Sequence, residues 1–150
     1  MNYSQLTDWL RTAGFAAPPV QPDCTIANAT TPLMHAARHG NLDAVNALLA
    51  CGADPAQVNA DGNGALWFAC FAGSAACVQT LIDAGAPLDA QNVNGATALI
   101  YCASAGKTTL VQLLLEAGAD PGLMTLDDFT ALELAANPAC LRLLKVASHA

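Results

Sequence analysis

Thr31-Pro32-Leu33-Met34-His35-Ala36-Ala37 opens a unit that closes on Leu48-Leu49-Ala50-Cys51-Gly52-Ala53-Asp54, and both stretches return along the chain. The opening returns as Gly64-Ala65-Leu66-Trp67-Phe68-Ala69-Cys70, as Thr97-Ala98-Leu99-Ile100-Tyr101-Cys102-Ala103, and as Thr130-Ala131-Leu132-Glu133-Leu134-Ala135-Ala136. The closing stretch returns as Leu81-Ile82-Asp83-Ala84-Gly85-Ala86-Pro87 and Leu114-Leu115-Glu116-Ala117-Gly118-Ala119-Asp120. Leu33, Leu66, Leu99 and Leu132 are each 33 residues apart, and Gly40, Gly73 and Gly106 keep the same step. Three series in phase, with Gly52, Gly85 and Gly118 as the third, define an internal repeat.

Each unit carries two apolar clusters. The first is short and Ala-rich, which lets one helix approach its neighbours closely. The second spaces aliphatics as a helix face does: Leu42, Val45, Leu48 and Leu49, then Val78, Leu81 and Ile82, then Leu110, Val111, Leu113 and Leu114. A glycine after each cluster supplies the left-handed residue that ends a helix. One such helix pair cannot bury its apolar face alone, so stacking must supply the core.

The motif Thr31 to Ala37 resembles the ankyrin signature T-P-L-H-x-A-A, with Met34 at the His position. Leu48 to Asp54 and Leu114 to Asp120 resemble the L-L-x-x-G-A-D ending of that family. The resemblance covers residues 28 to 146. It implies an all-α ankyrin-repeat solenoid of about four stacked helix-turn-helix units with β-turn fingers. An N-terminal capping helix and proline-rich elbow would occupy 1–27 and the repeat domain 28–150, with repeats at 28–58, 59–91, 92–124 and 125–146.

Residues 1 to 14 read as the capping helix, with Ser4 as N-cap, Leu6, Trp9 and Leu10 as its apolar stripe and Gly14 as its stop. A cap over the first repeat is preferred to a degenerate preceding unit. Pro18, Pro19 and Pro22 forbid a regular helix and make an elbow. Helices are expected near 31–38 and 41–51, with Asn41 as the second N-cap and turn connectors at 56–62, 88–95 and 121–128. In the fourth unit Leu143-Leu144 falls 30 residues after Leu113-Leu114, so about three residues are missing. Asn137-Pro138 would start a shortened helix there, with Leu141, Leu143, Leu144 and Val146 facing back onto the third unit.

Charged residues make up 11% of the 150-residue chain, net charge is −7 and the pI is about 4.4. Arg11, Arg38, Lys107, Arg142 and Lys145 form no basic stripe, which disfavours nucleic acid and anionic membranes. Mean hydropathy is +0.37, yet no apolar run approaches the roughly 20 residues of a membrane span. The six cysteines contain no C-x-x-C pair and the chain has three histidines, which suits reduced thiols in the cytoplasm better than disulfides or a metal. No export signal is visible at the N-terminus.

No phosphate loop, H-E-x-x-H or G-x-S-x-G motif is present, so a non-enzymatic reading is preferred, with no catalytic residue, cofactor or metal. The resemblance implies a monomeric module that binds a protein partner through its concave face and fingers, as an adaptor, scaffold or inhibitor. Carried over by position, the partner-binding residues are Arg38, His39, Asp61, Asn63, Phe68, Phe71, Asn94, Tyr101, Ser104, Asp127 and Phe129. Phe71 is expected to be exposed and Trp67 to be core, while Phe68 and Tyr101 could be either. The acidic fingers raise an alternative, an inhibitor or immunity-type protein for a basic toxin or enzyme. Self-assembly and catalysis are the remaining classes.

Overall fold

A computed structural model describes residues 1–15 and 24–148. The expected proline elbow lies outside the described residues. Nine α-helices are found among them: α1 Tyr3–Thr12, α2 Pro32–Arg38, α3 Leu42–Ala50, α4 Ala65–Ala72, α5 Ala75–Asp83, α6 Ala98–Ser104, α7 Thr108–Glu116, α8 Ala131–Leu134 and α9 Pro138–Ser148. They stack in two rows. The first helices form α2–α4–α6–α8, the second form α1–α3–α5–α7–α9, and each unit's pair joins the rows. The all-α solenoid is as expected.

The repeating threonine explains where the first helices begin. Thr31, Thr97 and Thr130 are N-caps, and their hydroxyls accept from the main-chain N–H of Met34, Ile100 and Glu133 at 3.2, 3.1 and 3.3 Å. Such a cap contributes about 1 kcal/mol. Gly64 takes the same place in the second unit without a side chain to cap. Between the rows lie the alanines, leucines and valines of the motif, with Ala36, Ala69, Val45, Val78 and Leu114 fully buried.

α1 sits in the row of second helices, beside α3. Its end repeats theirs. The N–H of Phe15 donates to Leu10 O, as Ala53, Ala86 and Ala119 donate to Leu48, Leu81 and Leu114. Gly14 carries a φ of +101°, close to the +91°, +92° and +104° of Gly52, Gly85 and Gly118. The end of α1 thus shares the geometry of the second helices, a feature in keeping with the degenerate preceding unit that was weighed beside a plain cap. Its N-cap is Asn2, not Ser4, and a reciprocal Asn2–Gln5 pair closes the first turn.

The short fourth unit loses its residues from the first helix. α8 has 4 residues while α9 has 11, so the expected shortening of the second helix is corrected. Pro138 disfavours helical backbone at Asn137, and Asn137 is needed as a cap, its Oδ1 accepting from Cys140 N at 2.8 Å. α8 must stop before them. Leu144 is buried, whereas Val146, expected to face the third unit, is 74% exposed.

Candidate functional site

The fingers line one edge of the stack and are built by a single rule. In the second finger Asn59 N donates to Asn63 O at 2.9 Å, and Asn59 Oδ1 accepts from Asp61 N and Asn63 N, each at 3.0 Å. Asn92 repeats this in the third with Asn94 and Ala96. Thr125 takes over in the fourth, where its hydroxyl accepts from Phe129 N at 3.2 Å. One main-chain bond then joins each finger to the next: Ala60 N to Asn28 O, Val93 N to Asp61 O and Leu126 N to Asn94 O, each 3.0 Å.

Between the first two fingers and the ends of α2 and α4 opens a cleft of about 380 Å³, lined by Asn28, Thr30, Asn63, Asp61, Arg38, Trp67, Phe68 and Phe71 among others. Its floor is aromatic. Trp67 stacks on Phe71 with centroids 5.9 Å apart and planes 12° apart, and tilts against Tyr101 at 4.9 Å. Phe71 is 46% exposed, as expected of a ring at the end of a first helix. The Arg38 guanidinium lies 5.4 Å from its ring centre, and the Asp61 carboxylate accepts from Asn28 Nδ2 at 2.9 Å.

Two aromatic assignments are corrected. Phe68 is only 7% exposed and belongs mainly to the core, so it is no free contact residue. Trp67, expected as core, is half-buried and lines the cleft floor. Tyr101 is half-buried against Trp67.

The other sequence candidates fall elsewhere. His39 turns toward α1, where it lies 5.9 Å from Trp9 and 4.4 Å from His35. Ser104 is exposed and its hydroxyl donates to Tyr101 O. Asn94, Asp127 and Phe129 sit exposed on the third and fourth fingers, Phe129 at 44%. Beside them Val93 and Leu126, 57% and 75% exposed, extend an apolar fingertip edge. Of the acidic side chains near the fingers, Asp61 accepts from Asn28 Nδ2 at 2.9 Å and Asp89 from Asp120 N at 2.8 Å.

Lys107, outside the cleft's lining but beside the Phe71 ring, is a residue that the sequence reading passed over. It occupies the place where Asn41 and Ser74 cap the second helices, through Ala44 N and Cys77 N. Lys107 cannot accept, and α7 has no side-chain cap. Its ammonium instead donates to the Cys70 and Phe71 carbonyls, at 2.6 and 2.8 Å, and stands 5.4 Å from the Tyr101 ring centre. A donor-only side chain at an N-cap position was the signal available.

The hydrogen bond to Cys70, then burial, pushes the Cys102 thiol up from its ordinary range, away from a reactive thiolate. Among the described residues no group of three or more His, Cys, Asp or Glu is placed to hold a metal, and no helix is long and apolar enough to cross a membrane.

A family model of ankyrin repeats matches the chain in three overlapping copies, over residues 2–92, 33–125 and 66–149. The copies start close to one repeat apart and together span nearly the whole length. Comparison with curated proteins gave no match.

Proposed function

Since the chain belongs to the ankyrin-repeat family, whose members generally mediate protein–protein interaction and are typically non-enzymatic, we propose that it works as a binding module whose contact face is the aromatic cleft and the adjoining fingers. The observation that carries this is Phe71. It is a large ring left 46% exposed, backed by Trp67 and flanked by charge, at the centre of the first-helix row. Aromatic and arginine side chains over a packed base are the composition of interaction hot spots. The apolar tips Val93, Leu126 and Phe129 extend the face toward the fourth unit.

An adaptor, a scaffold or an inhibitor would all use such a face, acting as a monomer. The buried thiols Cys70, Cys77, Cys102 and Cys140 suit a reducing compartment, which supports a cytoplasmic setting. The test is affinity capture from extract of the source cells, comparing the wild type with Phe71→Asp after circular dichroism has shown both folded. A partner held by the wild type and lost by the variant supports the reading. Equal retention moves the contact to another face, and no retention by either removes the reading.

A further inference from the structure

The surface around Phe71 has the sign opposite to the chain as a whole. Twelve acidic residues outnumber 5 basic ones, yet two of those 5 converge on one ring. Arg38 comes from the unit before Phe71 and Lys107 from the unit after it, at 5.4 and 6.0 Å from the ring centre. Among the described residues neither pairs with a carboxylate: the ion pair found is Arg11–Asp8, at 3.5 Å on α1. Lys107 commits two of its three donors to the C-terminal end of α4, and among the described residues the Arg38 guanidinium commits none. Asp61, the carboxylate among the cleft's described lining residues, accepts a hydrogen bond from the neutral amide of Asn28 on the finger side.

A cleft with an aromatic floor, Arg38 in its lining, Lys107 beside the Phe71 ring from the next unit, and the amides of Asn28 and Asn63 along its wall matches an extended strand of peptide. The amides meet the peptide main chain, Phe71 and Trp67 take an apolar side chain, and the guanidinium meets a carboxylate in a bidentate pair. We propose that the cleft binds an extended acidic peptide segment, with an Asp or Glu side chain seated at Arg38 and an apolar neighbour on Phe71. This rests on the protein-binding reading above and specifies its partner. The local field decides here, because screening at physiological salt confines charge effects to about 8 Å.

The experiment is selection from a phage library of randomised linear 12-residue peptides on the immobilised wild-type chain. The winners are then titrated against Arg38→Glu, Phe71→Ala and Arg142→Glu. Arg142→Glu makes the same change in net charge on α9, at the far end of the stack. The expected result is enrichment of Asp or Glu beside an apolar residue, with binding weakened about tenfold by Arg38→Glu and little changed by Arg142→Glu. Neutral or basic winners, or equal weakening by both reversals, would overturn the acidic assignment and leave the binding module standing. Failure of every peptide, alongside a Phe71-dependent partner in the capture experiment, would overturn the extended-peptide assignment in favour of a folded surface. Failure of both experiments would remove the binding reading and this inference with it.

Discussion

The Lys107 ammonium lies 2.8 Å from the main-chain oxygen of Phe71 and 6.0 Å from the centre of its ring, so one cation closes α4 and stands beside a ring of the cleft. A positive charge at a helix C-terminus is favourable, and the carbonyls there have no partner within the helix.

Lys107→Ala removes the donors and gives α7 no cap in return. It should cost about 1–2 kcal/mol in urea denaturation. Lys107→Ser loses the same donors but restores the cap that Ser74 makes in the preceding unit, and should recover about 1 kcal/mol. Equal stability for wild type and both variants would show the contact to be idle.

Gly95 sits at a φ of +77°, and a Cβ built on it would stand 2.8 Å from Leu126 N and 3.1 Å from Thr125 in the next finger. Gly118 also has a positive φ, +104°, but nothing lies within 4 Å of its Cβ position. Gly118→Ala should therefore cost only the backbone conformation, about 1 kcal/mol, and Gly95→Ala clearly more, about 2 kcal/mol or above. The same denaturation series checks it, and equal costs would mean the fingers separate freely.

His35 packs against Trp9 at 4.7 Å and Phe15 at 5.9 Å, which ties α1 to α2. Burial, then the charges of His39 and Arg38, hold its imidazole below the ordinary value of about 6.5. The unfolded chain thus takes up the proton more readily. The contribution is complete above about pH 6.5 and is lost as pH falls toward the lowered folded value. Thermal melts from about pH 7.5 to about pH 5 should fall in that window for the wild type and fall less for His35→Gln. Parallel curves for the two would place the acid sensitivity elsewhere.

The period of 33 was legible because leucine, glycine and threonine each serve a backbone or core need that returns with every unit. The facing of Trp67 and Phe68 was not. α4 is Ala-Leu-Trp-Phe-Ala-Cys-Phe-Ala, apolar all round, so its composition carries no phase to say which of two adjacent rings turns inward. Packing decides it, and Phe68 goes in. Likewise the missing residues of the fourth unit showed as a length, while their location depended on Asn137 serving as a cap. α1 hid its kinship because only its last turn, Leu10 to Phe15, keeps the pattern of the other second helices.

The bonds that tie finger to finger are given by the main-chain N–H of Ala60, Val93 and Leu126 and received by main-chain oxygens. Side chains at those three positions take no part, and they already run from a methyl to an isobutyl group. The edge proposed as a contact face can therefore be rewritten letter by letter while the lattice behind it keeps its spacing. Proline alone is barred, for want of the hydrogen.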